Sequence, residues 1–170
     1  MNLPVLLIFQ LLIVPVIDNT ASSTDSTYPS WSENFQTCGL APDRMLWFRN
    51  LYLPNEADRT KWDNSPIFSP DETFQKVPDA WIGVCERDIL RDEGIRYGDK
   101  LKKCGKKAEV VVYQNAPHQI LAMDGKQTLI LYSCHLIGFI RCSCLSRVSK
   151  AAVEIGPPTS KFGDNALMCF

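Results

Sequence analysis

Two short apolar runs in the middle of the chain predict neighbouring buried strands. Residues 80–85 are apolar without strict alternation, and residues 108–113 are rich in β-branched side chains, as expected for strands covered on both faces. Between them, residues 89–104 place apolar side chains at helical spacing, together with Gly94 and Gly98, which would let the helix approach a sheet closely. Gly105 suits a helix end. This order of strand, helix and strand predicts a βαβ unit with parallel strands, and therefore an α/β fold.

A carboxylate and an imidazole follow the two predicted strands. Asp88 comes just after the first strand, and His118 comes just after the second. In open parallel sheets, ligands bind at the edge formed by the carboxyl ends of the strands. A carboxylate there can hold a histidine in one tautomer and stabilise the imidazolium that forms when the ring accepts a proton. The spacing indicates an acid–base pair; the alternative is that Asp88 caps the helix and His118 is an ordinary loop residue.

Short motifs follow one another in a fixed order from about Leu11 to Gly125. They fall at residues 14–20, 28–31, 45–47, 52–54, 65–66, 77–80, 88–94 and 113–118. In this order they resemble the C-terminal half of the hormone-sensitive-lipase-like branch of the α/β-hydrolase fold, especially its fungal members. The resemblance implies a partial α/β-hydrolase fold, with the C-terminal strands and helices of a mostly parallel sheet. Residues 1–125 would form this half-domain, residues 19–76 its lid-like insertion, and residues 126–170 a divergent tail.

The same resemblance implies a chemistry. Asp88 matches the acid of the family's Ser-Asp-His triad and His118 matches its general base, whereas Asp92 and Glu93 are expected to be structural. The family's serine precedes both residues in a Gly-x-Ser-x-Gly elbow, and none of the twelve serines of this chain has glycines two residues away on both sides. We therefore expect a carboxylic-ester hydrolase of the esterase or lipase type in a truncated, inactive form, whose complete relatives act on small-molecule acyl esters.

Two other classes of function stay open. One is a non-catalytic hydrolase-like protein that binds a ligand or partner in a degenerate pocket. The other is a small secreted or membrane-attached protein, because residues 1–17 are uncharged and apolar like a signal peptide. No basic residue precedes that run, and Pro4 and Pro15 interrupt it. The resemblance instead makes residues 11–16 a strand, so a cytoplasmic protein is expected unless residues 1–21 act as a signal peptide.

The insertion carries two helix signals. Pro42 suits the first position of a helix over residues 43–53. Residues 69–72 (Ser-Pro-Asp-Glu) read as a capping box. Several large apolar side chains in the insertion are candidates for pocket or lid lining, with ordinary core packing as the alternative: Trp31, Met45, Trp47 and Phe48.

The composition narrows the classes of partner and cofactor that are expected. A net charge of −1 gives no basic footprint, and no nucleic-acid motif, phosphate loop or dinucleotide fingerprint is present, so we expect neither a nucleic-acid partner nor a cofactor. Cys85 and Cys104 are expected to be buried or incidental thiols, as in a reducing compartment. Four metal-ligating side chains match no common zinc spacing, so we expect no metal site there: Cys134, His135, Cys142 and Cys144.

The resemblance ends near Gly125. A charge-free apolar run follows at residues 128–140. Its thirteen residues are fewer than the roughly twenty that a membrane-spanning helix needs, although a tail anchor stays open as an alternative. A simpler interpretation is that the reading frame leaves the family sequence here.

Overall fold

A small parallel sheet in the order β3-β2-β1-β4 organises the fold. The computed structural model describes residues 7–24 and 26–120, together with the backbone of residues 167–169. The strands are β1 (Gln10–Ile13), β2 (Ala80–Arg87), β3 (Ala108–Pro117) and β4 (Leu167–Cys169), and the α-helices are α1 (Ser30–Glu33), α2 (Pro42–Tyr52), α3 (Asp71–Phe74) and α4 (Arg91–Lys103). Two 3-10 helices lie at Glu56–Asp58 and Pro66–Phe68. The expected α/β class and parallel βαβ unit are confirmed.

Strand β2 is the centre of the core. Its residues 80–85 are all buried, and Trp81, Ile82 and Val84 are completely inaccessible to solvent. β2 pairs in parallel with β1 on one side and with β3 on the other. A strand in that position has neighbours in both hydrogen-bonding directions and packing on both faces, which explains why its sequence is continuously apolar rather than alternating.

Helix α4 lies unusually close to the sheet because two glycines face it. A Cβ atom added at Gly94 would lie 2.5 Å from Val84 Cγ1, and one added at Gly98 would overlap Val110 Cγ2. The prediction that these glycines permit a close helix–sheet approach is confirmed. Tyr97 and Leu101, on the same helix, fill the core beside them.

The pairing of β2 with β3 is regular until the carboxyl ends of the strands, where β3 bulges. Cys85 is paired with Tyr113, but Arg87 is paired with Pro117. β3 therefore uses four residues where β2 uses two. Asn115 lies within this bulge with φ of 56°, a left-handed conformation in which asparagine is several-fold enriched. The bulge sets which residues of the two strands end side by side.

Three predicted boundaries are corrected. Helix α4 begins at Arg91 rather than at residue 89, because residues 88–91 form a turn in which Arg91 N–H donates to the Asp88 carbonyl. The predicted capping box at residues 69–72 is wrong: α3 starts at Asp71 after Pro70, with no side-chain cap. β1 covers residues 10–13 and does not extend to 16, since Val14 has φ of 43°.

Several expectations lie outside the described residues. These are the apolar run at 128–140, the cluster of Cys134, His135, Cys142 and Cys144, and most of the predicted tail. Within the described ranges, no helix is both long and apolar enough to cross a membrane.

The close approach of α4 predicts a stability effect. We expect Gly98→Ala to lower the free energy of unfolding by about 1–3 kcal/mol, because the added methyl group would overlap Val110 and overpacking is destabilising. Asp99→Ala, on the exposed side of the same helix, should change it by about 0.5 kcal/mol or less. Urea unfolding of the three proteins measures both changes, and equal stability of Gly98→Ala and the unsubstituted chain would contradict the close packing.

Candidate active site

Asp88 and His118 meet at the carboxyl edge of the sheet, as their spacing predicted. The distance between Asp88 Oδ2 and His118 Nδ1 is 2.8 Å. The Asp88 side chain is fully buried, whereas the His118 side chain is 22% exposed. A carboxylate can only accept a hydrogen bond, so in the neutral ring this contact places the proton on Nδ1 and leaves the lone pair on Nε2. The arrangement gives an oriented imidazole whose free nitrogen can accept a proton.

The buried carboxylate of Asp88 also organises its own loop. Asp88 Oδ1 accepts a hydrogen bond of 3.0 Å from Leu90 N–H, at the start of α4. Leu90 precedes the first residue of α4, which has no side-chain cap, so the alternative that Asp88 caps the helix is wrong and Asp88 instead organises the turn before it. The other alternative, a partner for histidine, is present in the same side chain. Because each oxygen has its own donor, the carboxylate is held in a single orientation.

A cleft of about 590 Å³ opens beside His118, within the size range of pockets that hold small molecules. Its walls are mostly apolar and include Val14, Leu40, Met45, Phe48 and Leu90. In the part of the chain that the structure describes, no serine lines this cleft. An apolar cleft next to an oriented imidazole can hold an uncharged, lipophilic group near a proton acceptor.

The backbone is strained where β1 enters the cleft. Val14 has φ of 43°, and a β-branched residue in that region is an outlier. Its N–H still donates to the Gly83 carbonyl over 2.8 Å. Such outliers cluster at ligand-binding and catalytic sites. The strand predicted at residues 11–16 includes Val14, and a residue before proline favours extended backbone, so the sequence does not predict this positive φ.

The four large apolar candidates of the insertion have different surroundings. Met45 is buried and, with Phe48, lines the cleft. Trp31 is buried in the same core cluster as Met45 but does not itself line the cleft. Trp47 is 57% exposed and is not part of the lining, so its proposed pocket role is not supported.

Glu93 is a buried carboxylate that joins three segments. Its Oε2 accepts from Ile17 N–H at 3.0 Å and from Asp18 N–H at 2.9 Å. Its Oε1 accepts from Trp31 Nε1–H at 2.9 Å. Through these bonds, α4 is tied both to the chain leaving β1 and to the insertion. The contacts fit the structural role expected for Glu93.

Burial also makes the protonation of Glu93 unusual. Burial raises its pKa to about 7, and the nearby Asp18 charge acts in the same direction, against the lowering effect of the three N–H donors. Asp92 is also structural in its contacts, because its Oδ2 accepts from Ser30 N–H at 2.7 Å. Neither carboxylate contacts His118. Asp92 and Glu93 therefore stabilise the structure around the site and are not members of the acid–base pair.

Metal binding finds no support in the described residues. Within residues 7–24 and 26–120, no three or more His, Cys, Asp or Glu side chains converge in a way that could hold an ion. Cys85 is buried as expected, Cys104 is partly buried and Cys38 is exposed.

The parallel βαβ unit, the carboxylate–imidazole pair at the strand ends and the adjacent apolar cleft define a hydrolase-type α/β architecture. The alpha/beta hydrolase fold family model matches residues 2–122, and the chain belongs to this family. The expected likeness to the hormone-sensitive-lipase-like branch is confirmed.

Individual relatives agree with this assignment. An AB hydrolase superfamily protein of Schizosaccharomyces pombe is 42% identical over 118 residues, which cover 69% of this chain and 34% of that protein. An esterase structure from Rhizomucor miehei superposes with a TM-score of 0.67 at 26% identity, covering 79% of this chain and 41% of that one. Carboxyl esterase 2 of Tuber melanosporum gives a TM-score of 0.61 at 28% identity, covering 66% and 35%. The chain thus spans about a third of the length of its fission-yeast relative.

The raised pKa of Glu93 predicts a pH-dependent stability. The folded chain binds this proton more tightly than the unfolded chain, so the contribution of Glu93 is most favourable below pH 4.5 and is lost as the pH rises to about 7. We expect a fall of about 3 kcal/mol in the free energy of unfolding over this interval. Urea unfolding at a series of pH values measures it.

Two matched variants test whether Glu93 is the carboxyl group responsible for this pH dependence of stability. Glu93→Gln should be less stable throughout, because an amide cannot accept from all three donors, but it should lack this part of the pH dependence. Glu72→Gln, at an exposed carboxyl group, should retain it. The same slope in Glu93→Gln and in the unsubstituted chain would contradict the assignment.

Proposed function

We propose that this chain carries the acid and the general base of a Ser-Asp-His carboxylic-ester hydrolase, with Asp88 as the acid and His118 as the base. The observation that carries the proposal is the 2.8 Å contact between Asp88 Oδ2 and His118 Nδ1. Esterases among the relatives and the structural neighbours support the reaction class.

In the proposed mechanism, a serine from a part of the fold outside the described residues attacks the ester carbonyl. His118 accepts the serine proton at Nε2 and later donates it to the departing alcohol. Asp88 keeps the ring in the Nδ1–H tautomer and stabilises the imidazolium that forms between these steps. The apolar cleft beside His118 would hold the acyl or alcohol group of a small ester. Both the esterase and the lipase type of reaction use this chemistry.

The 170-residue chain alone is proposed to be inactive. A triad without its nucleophile loses most of its rate enhancement, and what remains depends on oxyanion-hole donors. No Gly-x-Ser-x-Gly elbow occurs in the sequence, and no described serine lines the cleft. The same two observations favour the second candidate, a non-catalytic protein that binds an apolar ligand in the cleft.

A cytoplasmic location is part of the proposal. β1 contributes residues 10–13 to the sheet, and cleavage of a signal peptide near Ala21 would remove that strand. Sequencing the N-terminus of the mature protein tests this, and a mature protein that starts near Ala21 would support the secreted alternative.

A chimera tests the catalytic assignment. The region of the Schizosaccharomyces pombe relative that precedes its matched segment would be fused to residues 2–170, and hydrolysis of a short-chain aryl ester would be measured. We expect turnover that falls by about 10³-fold or more in His118→Ala and in Asp88→Asn, because the base or its orienting partner is lost.

Two controls keep the chimera informative. His135→Ala removes the other histidine of the chain, and Asp99→Asn removes an exposed carboxylate of α4; both should leave the rate within about twofold. Full activity in Asp88→Asn or His118→Ala would contradict the proposed roles. Specific binding of an apolar ligand by a folded but inactive chimera would favour the second candidate.

The unfused chain gives a separate prediction. Purified residues 1–170 should show neither ester turnover nor a burst of product release, because no activated nucleophile is present. A burst on an aryl ester that disappears in His118→Ala would overturn the proposed inactivity.

A further inference from the structure

The loop that carries Asp88 is held by an unusual number of side chains. Four consecutive backbone carbonyls, those of residues 86–89, each accept a hydrogen bond from a side chain outside the loop. In regular structure such carbonyls bond mainly to other backbone groups. Here most of the donors come from one short segment of the insertion, residues 30–37.

Asn34 is the central donor of this segment. Its Nδ2 donates to the Glu86 carbonyl at 3.2 Å and to the Asp88 carbonyl at 3.1 Å, so one amide spans the loop. Thr37 Oγ1 donates to the Arg87 carbonyl at 2.6 Å. Asn34 is partly buried at the end of α1, where its backbone N–H bonds to the Ser30 carbonyl and leaves its side chain directed to the loop.

Three further contacts connect this segment, the loop and the start of α4. Ser30 is fully buried, and its Oγ donates to the Ile89 carbonyl at 2.6 Å. Arg91 reaches back from α4, with an NH1 bond of 3.2 Å to the Glu86 carbonyl and an ion pair of 2.7 Å to Glu33. The loop is therefore held by contacts from the insertion and by contacts from α4.

The geometry points to Asn34 and Thr37 as positioning residues for Asp88: they fix the loop so that the carboxylate stays directed at His118 Nδ1. This inference rests on the proposed function of the Asp88–His118 pair. The residues that would cover the cleft and the segment that orients the triad acid then belong to one insertion. Neither side chain touches His118, so each acts only through the backbone of residues 86–88.

The tautomer of His118 reports this role without requiring turnover. Nitrogen-15 NMR of the full 170-residue chain distinguishes Nδ1–H from Nε2–H imidazole at a pH where the ring is neutral, and the chain has only two histidines to assign. We expect the ratio of Nδ1–H to Nε2–H in His118 to fall by about fivefold in Asn34→Ala and in the near-isosteric Thr37→Val, the size of effect of one lost hydrogen bond. Ser32→Ala, in α1, removes a hydroxyl that donates to the Pro29 carbonyl rather than to the loop of Asp88, and should leave the ratio unchanged.

Each outcome decides the inference. An unchanged ratio in folded Asn34→Ala and Thr37→Val would overturn it, and so would a loss of folding in both, because that would make the two side chains part of the general fold. If only one variant folds, its ratio decides. The same ratio is measured in Asp88→Asn. If Asp88→Asn leaves the ratio unchanged, the proposed Asp88–His118 pair itself fails. If the ratio changes in Asp88→Asn but not in Asn34→Ala and Thr37→Val, the positioning role alone fails.

Discussion

The parallel ladder between β2 and β3 is the constraint on which the site depends. Parallel strands require a crossover, and α4 supplies it, so both strands end at the same edge of the sheet. The bulge around Asn115 then adjusts the register so that Arg87 is opposite Pro117. The residue that follows β2 is Asp88, and the residue that follows β3 is His118. Their contact follows from backbone pairing, and the side chains add only the last hydrogen bond.

A second constraint comes from burying Glu93 beneath that edge. A carboxylate removed from water is costly unless it is hydrogen-bonded, and Glu93 accepts hydrogen bonds from N–H groups of residues 17, 18 and 31. Among the residues that the structure describes, no ion pair neutralises Glu93, which agrees with its raised pKa of about 7. The insertion, the chain after β1 and α4 are therefore joined at a single group. Residues 30–37 continue from this junction and donate hydrogen bonds to the loop of Asp88.

The sequence predicted the parts of this architecture that depend on periodicity. The buried strands, the helix between them and the use of Gly94 and Gly98 follow from patterns of apolar and small residues, and so does the proximity of Asp88 and His118. The missed features depend on tertiary contacts. The positive φ of Val14 is imposed by its surroundings. The hydrogen bonds from Asn34 to the loop of Asp88 come from an irregular segment, in which residue spacing does not indicate contacts. The capping box failed for a local reason: the Ser69 N–H, which the Glu72 side chain would accept in such a box, donates to the Pro66 carbonyl of the preceding 3-10 helix instead.

The bulge in β3 has a consequence for how this family can change. Pairing its two extra residues into the ladder would give the more regular arrangement for a sheet. It would also carry the imidazole of His118 about 6–7 Å past Asp88 along the strand direction, because each paired residue adds about 3.3 Å. Deleting both extra residues would instead leave Pro117 opposite Arg87. Lengths that differ by an even pair at this strand end are thus compatible with the chemistry, whereas a single insertion or deletion would turn the imidazole to the opposite face of the sheet.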